Sequence, residues 1–103
     1  LVHISTEYIF DGSGDNYWST ESPPNPINVY GKSKLKGEEG VIKNSSIYAI
    51  IRTSWVFSSH GNNFVKTMLK LLLLKNTIQV VSDQIGGPTS AKSLAKACLE
   101  TVR

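Results

Sequence analysis

The chain has 103 residues, 40% hydrophobic and 18% charged, which is enough apolar matter to pack a core and the wrong balance for a disordered, collagen-like or disulfide-built chain. Its formal net charge is +3, but the lysines are spread along the sequence rather than gathered among aromatics, which argues against a nucleic-acid binder. The single cysteine, Cys98, excludes an internal disulfide and has no Cys or His at metal-ligand spacing, so core packing is its expected role.

Taken in order, residues 2–5 read as a buried strand with no cap or charged tail before it, and position 1 is Leu; we expect a piece of something longer. Residues 11–28, rich in Pro, Gly and Asn, read as an irregular excursion. Loops beyond about 12–15 residues in a compact domain are usually functional or disordered, which points to a site nearby. Residues 29–43 predict a helix, with Leu35, Val41 and Ile42 as apolar anchors and Glu38 and Glu39 on a solvated face. Residues 48–52 read as a buried strand, and 63–74 as an apolar helix with Phe64, Val65, Met68, Leu69 and Leu72 at three-four spacing. A short β-branched strand is expected over 78–81. After Gly86-Gly87-Pro88, a last helix from about residue 90 places Leu94, Ala95, Cys98, Leu99 and Val102 on one face. The apolar run of note, Leu71 to Leu74, falls far short of the roughly 20 residues that span a bilayer. No signal peptide opens the sequence, so a cytoplasmic location is expected.

Strand, helix, strand, helix, strand, helix is the pattern of right-handed crossovers. It predicts an α/β fold, a parallel sheet with flanking helices, in one partial domain over residues 1–103. Ligands of open parallel sheets bind beyond the carboxyl ends of the strands. Three such places are marked out: Ser5-Thr6-Glu7, Thr53-Ser54-Trp55 and Ser82-Asp83-Gln84.

Tyr30 and Lys34 are four residues apart, so on a helix they project to nearly the same side. A phenol, with a reference pKa of about 10, transfers protons poorly at neutral pH unless a neighbour stabilises phenolate. Two unit charges about 4 Å apart at an effective dielectric of 20 interact by roughly 4 kcal/mol, enough to bring the phenol toward the working range. With four Tyr and nine Lys, an accidental Tyr-x-x-x-Lys is expected about one time in three, so the spacing alone is weak. Context strengthens it: the pair opens a helix after a long loop, and the Ser5 and Thr6 hydroxyls stand at a strand's carboxyl end. His3 and His60 read instead as a packed histidine and a loop histidine, and no metal constellation can be assembled.

Residues 5–12, Ser-Thr-Glu-Tyr-Ile-Phe-Asp-Gly, followed by 28–38, Asn-Val-Tyr-Gly-Lys-Ser-Lys-Leu-Lys-Gly-Glu, resemble the catalytic stretch of the extended short-chain dehydrogenases. Arg52-Thr53-Ser54-Trp55-Val56-Phe57, Gly61-Asn62-Asn63-Phe64 and Asp83-Gln84-Ile85-Gly86-Gly87-Pro88-Thr89-Ser90 narrow the resemblance to the dTDP-4-dehydrorhamnose reductase family. Five motifs occur in order over nearly the whole chain. Glu7 stands where that family usually has Asp, and Phe57 where Tyr is common.

The resemblance implies the catalytic part of a Rossmann-like NAD(P)-binding fold. It implies reduction of the C4 carbonyl of a dTDP-linked 4-keto-6-deoxy sugar by NADPH or NADH. It carries over Tyr30 as the proton donor, Thr6 as a hydrogen-bond partner of the same oxygen, and Lys34 as the group that binds the nicotinamide ribose beside Tyr30. Tyr8 and Trp55 match positions lining the sugar pocket. The glycine-rich dinucleotide turn is not found, since Asp11-Gly12-Ser13-Gly14 opens no helix; we expect it upstream, a carboxyl-terminal substrate segment downstream, and little activity from these residues alone. Expected partners are the dTDP sugar and, as an open assembly state, a second copy of the chain. Two other functions fit parts of the pattern: another nucleotide-sugar epimerase or dehydratase with Tyr-x-x-x-Lys, and a non-catalytic regulatory subunit of methionine adenosyltransferase.

Overall fold

A computed structural model describes all residues from Leu1 to Arg103. The chain forms two compact units, Leu1–Thr53 with Val102, and Ser54–Thr101 with Arg103. Both are α/β with parallel strand pairs and flanking helices, as the alternating pattern predicts.

In the first unit, β1 (Val2–Thr6) runs into a single 3-10 turn at Glu7–Ile9, and α1 (Val29–Asn44) crosses back to β2 (Ala49–Thr53). The strands pair parallel with Val2 opposite Ala49 and Thr6 opposite Thr53, so both carboxyl ends finish on threonines. Ile9 is fully buried. Helix α1 starts where the sequence predicts because Asn28, in extended conformation, accepts the Gly31 N–H on its side chain at 2.6 Å, satisfying an orphan donor of the first turn.

The excursion between the 3-10 turn and α1 is tied down at its base. The Asn25 N–H donates to the Ile9 carbonyl at 2.8 Å, and Asn25 Nδ2 donates to Asp11 Oδ2 at 2.8 Å. Ser13 donates to Asp11 Oδ1 from both its backbone N–H and its hydroxyl. These bonds pull the Asp11 carboxyl from its ordinary 3.8 down to about 2, those from Ser13 contributing most. Further out, Trp18 stacks flat on Phe10, with centroids 4.7 Å apart.

In the second unit, β3 (Val56–Phe57) pairs parallel with β4 (Thr89–Ser90), while α2 (Phe64–Leu74) and α3 (Ala91–Thr101) flank them. Asn63 caps α2 by accepting the Lys66 N–H at 3.0 Å. No helix is long and apolar enough to cross a membrane.

Two expectations need correction. Residues 78–81 form no strand; Val80 and Val81 are exposed, and it is Val56–Phe57 and Thr89–Ser90 that pair. β-branched residues prefer a strand only when a neighbouring strand supplies partners, and here none does. On α3 the half-buried positions are Ala91, Leu94, Ala97 and Cys98, whereas Ala95 and Leu99 are exposed, as is Val102 just beyond the helix.

Candidate active site

At the carboxyl end of β1 the backbone turns sharply, and Thr6 caps that turn by accepting the Tyr8 N–H on Oγ1 at 3.3 Å. Thr6 is 5% exposed. Accepting through the oxygen leaves the hydroxyl hydrogen available for donation to a ligand. Tyr8 is thereby presented outward and meets Tyr30 edge to face, with ring centroids 6.0 Å apart and planes at 79°.

Tyr30 comes from the first turn of α1 and is 54% exposed, so its phenol faces solvent beside the strand end. The close seating of that turn depends on Gly31. A Cβ at Gly31 would overlap the Tyr8 carbonyl oxygen and stand 3.0 Å from Pro26 Cβ. One turn further, Lys34 reaches across to β1 and donates from Nζ to the Ile4 carbonyl at 2.6 Å. The four-residue spacing predicts an ammonium pointing toward Tyr30. In the structure the Lys34 ammonium is docked on the strand backbone, with two of its three N–H donors left for other partners.

The next residue in this series, Glu38, reads from sequence as part of a solvated face, and the structure corrects that. It is 1% exposed and takes a two-pronged contact from Arg52 of β2, Nε at 3.1 Å and Nη2 at 2.7 Å. Burial pushes the Glu38 carboxyl up, but the two hydrogen bonds and the charge of Arg52 outweigh it, holding the group below its ordinary 4.5. The Arg52 guanidinium also lies 5.4 Å from the centroid of Phe10, the ring on which Trp18 stacks. The available signal was Arg52 itself: a cation within an otherwise apolar strand needs an acid on whatever packs over it.

In the second unit, Trp55 is half-buried against Phe64, with centroids 5.0 Å apart, and it adopts φ +44. His3 is packed close to Gly37 of α1 rather than presented to solvent, and His60 lies exposed in a turn where its N–H donates to Ser58.

Parallel strands end on hydroxyl residues, and Tyr30 and Lys34 lie one helical turn apart on the helix that joins them. The RmlD substrate binding domain model matches residues 1–103, and the chain belongs to that family, which is that of the dTDP-4-dehydrorhamnose reductases. It is 46% identical over 103 residues to the dTDP-4-dehydrorhamnose reductase of Salmonella typhimurium, covering all of this chain and 34% of the relative. It is 50% identical over 99 residues to the Bacillus subtilis spore coat polysaccharide biosynthesis protein SpsK, covering 96% of this chain and 35% of that protein. Two solved dTDP-4-dehydrorhamnose reductases, from Clostridium acetobutylicum and from Bacillus anthracis in complex with NADP, each superpose with a TM-score of 0.91 at 42% identity. Each covers 98% of this chain, which matches 36% of theirs. The chain thus spans about a third of the length of the relatives it matches.

Proposed function

We propose that the protein carrying this chain reduces the C4 carbonyl of a dTDP-4-dehydro-6-deoxy sugar, converting dTDP-4-dehydrorhamnose to dTDP-rhamnose with NADPH. The observation that carries this reading is the grouping at the end of β1: a buried Thr6 hydroxyl, the Tyr8–Tyr30 edge-to-face pair and Lys34 docked on the same strand. Membership of the reductase family and the NADP held by the Bacillus anthracis relative support it.

The donors present suit a nicotinamide ribose, because Lys34 keeps two N–H groups and Tyr30 an exposed hydroxyl, and both can bond vicinal hydroxyls. Bound NADPH supplies the hydride. Tyr30 gives its proton to the alkoxide that develops at C4, and Thr6 donates a hydrogen bond to the same oxygen. The positive charge of Lys34 stabilises the phenolate left on Tyr30. On the resemblance to the reductases, Tyr8 and, in its own unit, Trp55 each offer aromatic surface to the sugar. Dinucleotide and sugar nucleotide are water-borne substrates, in keeping with a cytoplasmic protein.

The test is stoichiometric. The full-length protein, given dTDP-4-dehydrorhamnose and NADPH, is expected to consume one NADPH per sugar reduced, followed by loss of nicotinamide absorbance and by product chromatography. Conversion of the sugar without net NADPH loss would identify an epimerase or dehydratase, and no conversion at all would point to a regulatory protein.

A further inference from the structure

Trp55, at φ +44, is the one non-glycine residue of the chain at positive φ. A bulky aromatic there is strained and persists only where its surroundings over-determine it. Those surroundings are the turn leading into β4. Ser54 Oγ donates to the Gly87 carbonyl at 2.7 Å, and the Thr89 N–H donates to the Trp55 carbonyl at 3.1 Å, so the turn is bonded to residues 54 and 55 at two points. Just before them the Gly86 backbone lies against the indole. A methyl group on Gly86 would stand 2.9 Å from both Nε1 and Cε2 and 3.3 Å from Cζ2. Carbon contacts are comfortable at about 3.5–4.0 Å, and the atoms met belong to a rigid ring rather than to a flexible tip. Phe64 packs on the same indole, so the ring has little room to yield without moving as a whole.

We propose that Gly86 is a positioning residue for substrate specificity: having no side chain, it seats the Trp55 indole and so sets the depth of the sugar subsite that Trp55 bounds. The proposal rests on the reading of Trp55 as a sugar-contacting residue. The ligand concerned is the hexose of a nucleotide sugar rather than its nucleotide or the nicotinamide. Gly87 next door provides a control, since a methyl group there would meet nothing within 4 Å.

The experiment uses the full-length protein with dTDP-4-dehydrorhamnose and NADPH. Gly86→Ala is expected to raise the KM for the sugar nucleotide roughly tenfold, with kcat and the KM for NADPH changed less than about twofold. It should also shift the intrinsic tryptophan emission, and that shift should vanish when Trp55 is already Phe. In Trp55→Phe/Gly86→Ala the smaller ring relieves the overlap, so its sugar KM is expected to equal that of Trp55→Phe alone. Gly87→Ala should behave as wild type. If Trp55→Ala raises the sugar KM while Gly86→Ala does not, or if the losses at 55 and 86 simply add, the role of Gly86 is overturned and that of Trp55 stands. If Trp55→Ala, still able to bind NADPH, leaves the sugar KM unchanged, the sugar reading falls and the proposal with it.

Discussion

Two glycines of α1 show how one substitution carries opposite signs at different sites. Replacing a helical Gly by Ala normally gains about 0.5–1 kcal/mol, because the glycine backbone loses more freedom on folding. A methyl group on Gly40 would meet nothing within 4 Å, so Gly40→Ala is expected to raise stability by about that amount. At Gly31 the methyl would run into the backbone of Tyr8, which cannot rotate aside. Gly31→Ala is expected to lower stability by about 1–3 kcal/mol, the usual cost of overpacking, and to separate Tyr30 from Tyr8. Urea unfolding of the two variants checks both signs. The candidate residues Thr6, Tyr30 and Lys34 could be picked out at this scale because hydroxyl, phenol and ammonium sit in fixed motifs. The docking of Lys34 on the Ile4 carbonyl was not, because no sequence signal marks which backbone oxygen a long side chain will reach.

At the scale of elements, α1 packs on the sheet through an unusual set of residues. Its buried residues are Gly31 and Glu38, with Lys34, Leu35, Gly37 and Val41 half-buried beside them, while Tyr30 at its start and Ile42 near its end are exposed. Apolar periodicity therefore located the helix and two residues of its inner face, Leu35 and Val41, but not the burial of Glu38 or the exposure of Ile42. The Glu38–Arg52 pair holds that face against β2. Removing one partner of a buried pair strands the other, so Arg52→Met is expected to cost about 3 kcal/mol at neutral pH, and Glu38→Met/Arg52→Met considerably less. The pH dependence has a definite sign. Glu38 and Asp11 both have folded carboxyls below their ordinary values, so each contributes stability that is fully present above the ordinary value. That contribution is lost as pH falls, starting near 4.5 for Glu38 and continuing toward about 2 for Asp11. Denaturant midpoints measured between neutrality and pH 3 should decline below about pH 4.5, and more shallowly in Arg52→Met, where the stranded carboxyl already prefers its proton. The absent strand at residues 78–81 belongs to this scale too: a β-branched run favours a strand but does not provide its neighbour.

For the whole molecule, the parallel α/β class was readable because alternating strands and helices admit few arrangements. Which strands pair was less readable, since β3 and β4 are only two residues each and carry almost no periodic signal. Helix α2 leaves Leu69, Leu72, Leu73 and Leu74 exposed. Apolar surface of that kind binds hydrophobic dyes, so the 103-residue chain by itself is expected to enhance the fluorescence of such a dye, and the full-length protein to do so far less. The central claim is that the phenol of Tyr30 delivers the proton that completes carbonyl reduction. It is tested most directly by turnover of the full-length Tyr30→Phe variant, whose affinity for NADPH is confirmed by titration in parallel. A fall in kcat of roughly a hundredfold or more with the variant still folded is the expected result; turnover equal to wild type would contradict it.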